Sequence, residues 1–199
     1  MPVYLAGEQP HHGSAIEALN DEAFGPARHG KTVALFRQGV APVQDLCLVG
    51  LETDTNKVVG SIRYWPVALG ETRQPSVMLG PVVAAPDWRG KKIDSLDGNT
   101  LATALILNSV YLAQQQGHDS IVLKSTDASL IGYYEKLGFS RDLMSGLVLP
   151  GANSAHESTM LMGLELVPGS LAKASGIIGK HVSPKVFVPS KVQGLAYAV

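Results

Sequence analysis

The chain has very little cysteine: Cys47 is the only one among its 199 residues. A single thiol cannot form an internal disulfide, which excludes the disulfide-rich secreted class and favours a reducing compartment. Cys47 lies in the apolar stretch 45–49 and is interpreted as a buried strand residue, because free cysteine is mostly a small core hydrophobe. Residues 1–4 lack the basic start and apolar segment of a secretory leader, so a cytoplasmic location is expected.

Excess charge of either sign is also missing, since 16 Lys and Arg residues face 17 Asp and Glu residues for a net charge of −1. No global field then recruits nucleic acid or an anionic membrane, and neither partner is expected. The most apolar helical stretch, residues 101–112, is interrupted by polar side chains and is too short to cross a bilayer. His11 and His12 have no further ligands at metal spacing, so no metal site is expected.

Helical and strand patterns alternate along the chain. Ser14 and Glu17 form a capping-box pattern that predicts a first helix, and two strands joined by a turn follow it. Further strands are predicted over 76–85, 119–124, 143–149 and 158–167, with another starting at 138–139; further helices are predicted from Asn99 or Thr100 to Gly117 and over 129–137. This order indicates an α/β (α+β) fold with one mixed sheet flanked by helices.

The remainder of the chain changes character after Val167. Glycine and proline punctuate residues 168–199, and 185–188 is the one short strand candidate there. The segment has too few apolar residues for a core of its own. We therefore predict one domain over residues 1–167 and a C-terminal extension, residues 168–199, that packs on it.

The most informative stretch is residues 77–139. It opens with an apolar strand pattern that contains Gly80 and Pro81, and a proline inside a strand predicts a bulge or a splay because it cannot donate to the ladder. A cationic turn at 87–92 and a long helix pattern follow. A strand that leads through a glycine-containing cationic turn into a helix N-terminus is an arrangement that holds a pyrophosphate. The stretch ends with Tyr134 and the residues up to Phe139.

These residues resemble a known family. The segment LGPVVAAPDWRGK (79–91), followed by a helix, is similar to the central motif of the GNAT superfamily of N-acetyltransferases, and YEKLGF (134–139) is similar to its tyrosine motif. The resemblance extends over roughly residues 3–176, because other segments are similar to a bacterial subgroup of predicted acetyltransferases, namely 23–26, 31–32, 63–67, 146–151 and 165–169. It implies a mostly antiparallel central sheet that is splayed at the cofactor strand.

The resemblance also implies a cofactor, acetyl-CoA, and residues that bind it. In the family, the backbone of the splayed strand contacts the pantetheine arm, which corresponds here to Val82, Val83 and Ala84. Tyr134 matches the catalytic tyrosine near the cofactor sulfur, where a phenol that keeps its proton at neutral pH protonates the departing thiolate. Asp127 stands where the family often has an asparagine that helps to hold the cofactor. The neighbouring Tyr133 is expected to point into the core or to solvent.

The phosphate loop departs from the family pattern, which is Arg or Gln, two residues, Gly, one residue, then Gly or Ala. If the pattern is aligned so that it begins at Arg89, its two glycine or alanine positions are occupied by Lys92 and Asp94. If it is aligned instead by counting back from the helix end at Gly117, its last small position is occupied by Ala102. The two registers differ by roughly eight residues, so we expect an insertion, and the second register restores the helix length. The cofactor-binding candidates of this region are Arg89, Gly90, Lys91, Lys92, Asn99, Thr100 and Ala102.

The general base and the acceptor stay open at this point. Glu52, Asp127, Asp142, His118 or an ordered water could take the proton of the amine. His156 lies in a loop that could border the acceptor site. Arg63, with Trp65 nearby, could hold an acidic group of the acceptor.

Three functional hypotheses follow. The leading one is an enzyme that moves an acetyl group from acetyl-CoA to a primary amine of a small molecule or peptide. The alternative is a protein of the same fold that binds acyl-CoA but has lost or altered catalysis, which the atypical loop motivates. A nucleotide-binding module of another fold is disfavoured, because neither the P-loop nor the dinucleotide glycine motif occurs. A homodimer through C-terminal edge strands is a further expectation.

Overall fold

Strands from both halves of the chain build one central sheet. The computed structural model describes residues 2–30, 32–125, 127–151 and 158–181. Its strands are β1 (Val3–Gly7), β2 (Leu48–Glu52), β3 (Val58–Leu69), β4 (Gln74–Ala84), β5 (Lys92–Ile93), β6 (Asn99–Thr100), β7 (Ser120–Lys124), β8 (Leu147–Val148), β9 (Leu161–Glu165), β10 (Gly176–Ile177) and β11 (Gly179–Lys180). Its α-helices are α1 (Gly13–Phe24), α2 (Leu101–Gln115) and α3 (Ile131–Lys136).

The sheet has the order β1-β2-β3-β4-β7-β9, and β11 pairs with the part of β3 that β2 leaves uncovered. All neighbours on this path are antiparallel except β4 and β7, which run parallel. A parallel neighbour needs a crossover, and α2 supplies it. The predicted mixed and mostly antiparallel sheet is therefore confirmed.

Helices cover both faces of this sheet. On β2, Leu48 belongs to the apolar cluster that contains α2, whereas Val49 belongs to the cluster that contains α1, as the alternation of strand side chains requires. Leu101 and Leu105 of α2 are fully buried against the sheet, which confirms that they point inward. The hydroxyls of Tyr64 on β3 and Ser109 on α2 lie 2.8 Å apart and join helix and sheet by a hydrogen bond inside the core.

The start of α2 is where the sequence predicts it. Thr100 is the N-cap residue, its hydroxyl accepts a hydrogen bond from the amide of Thr103, and Gly117 follows the helix with a positive φ of 76°. The capping box predicted at Ser14 is wrong. The first helix begins at Gly13 after a 3₁₀ turn, and the Glu17 carboxylate binds arginine side chains instead.

Two strand predictions after Tyr134 need correction. Residues 138–139 do not begin a strand: the backbone forms one isolated bridge, from Ser140 to Gly163. The predicted strand over 143–149 is reduced to β8, because a 3₁₀ turn occupies Asp142–Met144.

The segment after Val167 lies against the sheet as far as it is described. β10 runs parallel to β8, and β11 pairs with Val67 and Ala68 of β3. The division of the chain at Val167 and the homodimer stay predictions. The strand candidate at 185–188 and His156 lie outside the described residues. No helix in the described part of the chain is long and apolar enough to span a membrane.

Candidate active site

The strands β4 and β7 separate in the middle of the sheet. They pair only from Val77 to Leu79 on β4, and β4 then continues to Ala84 beside β3 alone. Between the pairs Ile62↔Val82 and Tyr64↔Leu79, β4 has one residue more than β3, so a bulge lies at Gly80 and Pro81. This confirms the bulge predicted from these two residues and opens a gap between β4 and β7.

Backbone amides of β4 point into this gap. The amide of Ala85 donates to the carbonyl of Val59 on β3, so its neighbour Ala84 points its own amide to the opposite edge. The same alternation directs the amide of Val82 into the gap and that of Val83 towards β3. Of the three residues predicted to contact the cofactor, two therefore present amides to the gap and Val83 does not.

A cavity of about 240 Å³ occupies the gap. One wall is the bulged part of β4, and the opposite wall is the end of β7 together with α3. The first turn of α2 reaches the cavity through Ala102. Its lining includes Gly80, Pro81, Val82, Ala102, Lys124, Tyr133 and Tyr134, and Arg28 and Arg37 close one side.

Tyr134 lines this cavity from α3 although only 8% of its surface is exposed. Burial, with a smaller contribution from Tyr133, raises the pKa of Tyr134 to about 12, so the phenol keeps its proton at neutral pH. Tyr133 lines the cavity as well, and its hydroxyl lies 3.1 Å from that of Thr103 on α2. Tyr133 packs against the core cluster, as expected, and it lines the cavity in addition.

The stretch where the sequence predicts an insertion forms a small hairpin before α2. β5 and β6 pair at Lys92↔Thr100 and Ile93↔Asn99, and the turn between them contains Asp97 with a positive φ of 54°. Ile93 is buried in the core cluster. The hydroxyl of Ser95 accepts from the amide of Val3 and donates to its carbonyl, which ties the hairpin to β1. The residues of this hairpin thus fold towards β1 and leave the gap between β4 and β7 open.

The cationic turn lies at the surface between β4 and this hairpin. Arg89 donates from Nε to the carbonyl of Ala84 at 2.9 Å, and Gly90 has a positive φ of 69°. Lys91 and Lys92 are exposed and border a separate cleft next to β1. Asp127 is exposed too, and its carboxylate accepts from the Ser129 amide, which lowers the pKa of Asp127.

Among the phosphate-binding candidates, only Ala102 lines the cavity itself. Asn99 and Thr100 lie in β6, directly before the helix, and are half-buried. Apart from the Thr103 amide, which donates to the Thr100 hydroxyl, the amides of the first helical turn have no partners inside the helix, so this end of α2 is suited to an anion. No acidic residue occupies that turn.

A second cavity of about 270 Å³ adjoins the first, and the two share Arg28, Arg37 and Pro81. Its lining comes from α1, the 3₁₀ turns that follow it, and β3. Arg63 lines this cavity, but its guanidinium is already held. Nε and Nη2 donate to Glu8 at 2.8 and 2.7 Å, and Nη1 donates to Glu17 at 2.7 Å. Hydrogen bonds and ion pairs with Glu8 raise the pKa of Arg63 despite its burial.

The base candidates named from the sequence do not line either of these two cavities. Glu52 borders the cleft next to β1, and Asp127, Asp142 and His118 line neither cavity. His29, in the 3₁₀ turn after α1, does line the second cavity, and sequence reasoning missed it. Its position shortly after the GP pair that ends α1 is a weak signal, because only the folded chain brings that turn to β3.

Comparison with known proteins is consistent with this geometry. The model of the acetyltransferase (GNAT) family matches residues 14–139, which run from α1 through the tyrosine motif. No curated protein sequence matches the chain.

Solved structures of this family have the same fold. The chain is similar to the GNAT N-acetyltransferase YhbS from Escherichia coli in complex with CoA, at 20% identity, with a TM-score of 0.69 and 91% of each chain covered. A GNAT acetyltransferase from Brucella melitensis in complex with acetyl-CoA has 21% identity and a TM-score of 0.60, and the match covers 90% of this chain and 96% of that one. One from Staphylococcus aureus has 13% identity and a TM-score of 0.52, over 82% and 99% of the two chains. The family match covers more than half of the sequence, and the chain belongs to the acetyltransferase (GNAT) family.

Proposed function

We propose that this protein transfers an acetyl group from acetyl-CoA directly to a primary amine. The cavity between β4 and β7 carries the proposal, because it joins three features that such a transfer needs. It has an inward-pointing amide at Val82, a helix start at Ala102 and a buried phenol at Tyr134, and the Ala84 amide points to the same edge of β4 just outside the cavity lining. The family match and the CoA-bound structural neighbours support the choice of acyl donor.

In this proposal the strand amides of β4 orient the donor and polarise its thioester carbonyl. The amine nitrogen attacks the carbonyl carbon, the carbon–sulfur bond breaks, and the amine loses one proton to solvent. Tyr134 supplies a proton to the departing thiolate and regains one from solvent. The start of α2, with Asn99, Thr100 and Ala102, faces the diphosphate, and Arg89, Gly90, Lys91, Lys92 and Asp127 remain candidates at its rim.

Calorimetry with acetyl-CoA and a thiol assay for CoA release test the proposal together. We expect acetyl-CoA to bind and a panel of primary amines to release CoA. Ala102→Glu places a carboxylate where the phosphates are expected and should weaken acetyl-CoA binding by about tenfold or more. The matched control is Ala172→Glu, at an exposed residue outside both cavities. Unchanged binding in Ala102→Glu, or no binding by the native chain, contradicts the proposed site.

A binding protein without turnover is the second candidate, and the hairpin that replaces the glycine-rich loop favours it. Asp94 and Asp97 lie in this hairpin, close in sequence to the expected phosphate site. The same two assays separate the candidates. Tight binding of acetyl-CoA without CoA release for any amine of the panel would identify a binding protein.

A further inference from the structure

Arg37 lies at the junction of the two cavities and lines both of them. Its guanidinium carbon is 5.8 Å from the ring centre of Trp65, and the side chain is half-buried. Arg28 and Arg63, the other arginines of the second cavity, both form ion pairs with carboxylates. Within the described residues, no carboxylate forms an ion pair with Arg37.

This arrangement leaves a partly desolvated cation without a counter-ion. Burial and the charge of Arg28, with a smaller contribution from Arg63, lower the pKa of Arg37 to about 10 against an opposing contribution from Glu17, so the group is still charged at neutral pH. Glu17 is the nearby carboxylate, but its two oxygens already accept hydrogen bonds from Arg28 and Arg63. Charges removed from water are costly unless they are paired. The position next to Arg37 therefore favours an anion that comes from outside the chain.

Asn20 provides a second and independent observation. This α1 residue is fully buried, it lines the second cavity, and neither its Oδ1 nor its Nδ2 has a hydrogen-bond partner among the described residues. Buried amide groups are normally satisfied, because an unpaired one loses its hydration without compensation. An amide offers both a donor and an acceptor, so Asn20 can bind either kind of polar group on a ligand.

We propose that the second cavity is the acceptor site and that the acceptor is a small amine that also carries a carboxylate. Arg37 binds the carboxylate, since the planar guanidinium matches a carboxylate with two parallel hydrogen bonds. Asn20 hydrogen-bonds a further polar group of the same molecule. This inference rests on the proposed function, and it replaces Arg63 by Arg37 as the residue that recognises the acid.

The position of Arg37 also explains how such an acceptor reaches the donor. Arg37 and Pro81 border the cavity that contains Tyr134, so a molecule held at Arg37 has a direct path to that cavity. Arg37 then holds the carboxylate of the acceptor away from the Tyr134 phenol, while the amine of the acceptor enters the gap between β4 and β7. An amine without a carboxylate lacks this anchor.

Acetylation rates with chemically matched acceptors test the inference on the full chain. The panel consists of L-amino acids, the carboxamide of each, β-alanine, and O-phosphoethanolamine as a phosphate-bearing amine. We expect carboxylates to exceed their own carboxamides in kcat/KM by about tenfold or more, mainly through KM, because one charge-assisted pair is lost. Arg37→Gln should remove this preference, and Arg141→Gln, an exposed arginine outside both cavities, should keep it.

Stability and donor binding show whether these side chains serve the ligand or the fold. Arg37→Gln and Asn20→Leu remove an unpaired charge and an unpaired buried amide, so we expect melting temperatures equal to or above that of the native protein. Acetyl-CoA should bind the control variant Arg141→Gln within about twofold of the native affinity. Unfolding of Arg37→Gln or Asn20→Leu assigns these residues to the fold and overturns the proposal.

The remaining outcomes are also decisive. The proposal is overturned if carboxylates and carboxamides react at equal rates, or if the preference for carboxylates survives in Arg37→Gln. It is also overturned if the protein prefers O-phosphoethanolamine to β-alanine. If no panel amine is acetylated, calorimetry with the N-acetyl amino acids replaces the rate assay. Absence of binding in that measurement also overturns the proposal. A chain that binds these carboxylates but not acetyl-CoA refutes the proposed function and leaves the anion site intact.

Discussion

Single side chains in this protein derive their chemistry from where the fold buries them. Cys47 is fully buried, its thiol donates to the carbonyl of Val43, and burial raises its pKa to about 12. It is therefore unreactive, as expected of a core residue. Tyr134 is buried to a similar extent, but it lines a cavity. The difference between the two is access to a ligand.

Tyr134→Phe tests this difference. If the phenol protonates the thiolate, its loss should lower kcat by about 10²–10⁴-fold and leave acetyl-CoA binding nearly unchanged, since the ring that packs in the wall remains. Tyr111→Phe is the matched control, because Tyr111 is 53% exposed on α2 and lines neither cavity. Steady-state rates and calorimetry give the two numbers. An unchanged kcat in Tyr134→Phe would remove this residue from the mechanism.

At the scale of elements, the packing of α2 on the sheet decides where the proposed phosphate site lies. Leu101, in the first turn, fits over Gly50 on β2 and Gly60 on β3. A Cβ added at Gly60 would be 2.7 Å from Leu101 Cδ2 and 2.9 Å from the carbonyl oxygen of Val83. The two glycines thus let the helix start come close to the sheet, with Ala102 beside β4.

We expect Gly60→Ala to affect stability and donor binding together. The overpacking should reduce the free energy of unfolding by about 1–3 kcal/mol. A displaced helix start should also weaken acetyl-CoA binding. Urea denaturation and calorimetry measure both effects, with Gly7→Ala as control, because a Cβ at Gly7 would meet nothing within 4 Å. Full stability in Gly60→Ala would show that the close approach is unnecessary.

For the molecule as a whole, the pH dependence of stability follows from histidines that the fold keeps neutral. His12 is 6% exposed, and its Nδ1 accepts a hydrogen bond from the amide of Gln9. Burial and the nearby His11 lower its pKa, against a smaller opposing contribution from Glu8. Burial lowers the pKa of His118 as well. Both groups bind protons more readily in the unfolded chain than in the folded one.

The sign of the effect follows from this difference. With folded pKa values below the unfolded value of about 6.5, the stabilisation is complete above that pH and is lost as the pH falls through the folded values. We expect the free energy of unfolding from urea titrations to decrease between about pH 7.5 and 5.5. His12→Gln should flatten this decrease in part, and the double variant with His118→Gln more completely. A pH-independent free energy in the native chain over this range would contradict the assignment.

Much of the fold could be predicted because local signals suffice for it. Thr100 can cap a helix whatever surrounds it, and Gly80 with Pro81 interrupts a ladder wherever it occurs, so both features were visible in the sequence. The capping box at Ser14 failed for the opposite reason. Glu17 has one partner, Arg28, in the 3₁₀ turn after α1 and another, Arg63, on β3, and their charges compete successfully with the amides of its own helix.

The candidate site likewise has one part that the sequence predicted and one part that it did not. The sequence alone predicted the proposed donor side, because the motifs around Gly80, Ala102 and Tyr134 are contiguous segments with local geometry of their own. The proposed acceptor side came from the tertiary structure alone. Asn20, Arg37 and Arg63 come from three separate elements, and which arginine keeps a free guanidinium depends on carboxylates that only folding brings close. Ion pairing is a property of distances in space, and spacing along the chain does not encode them.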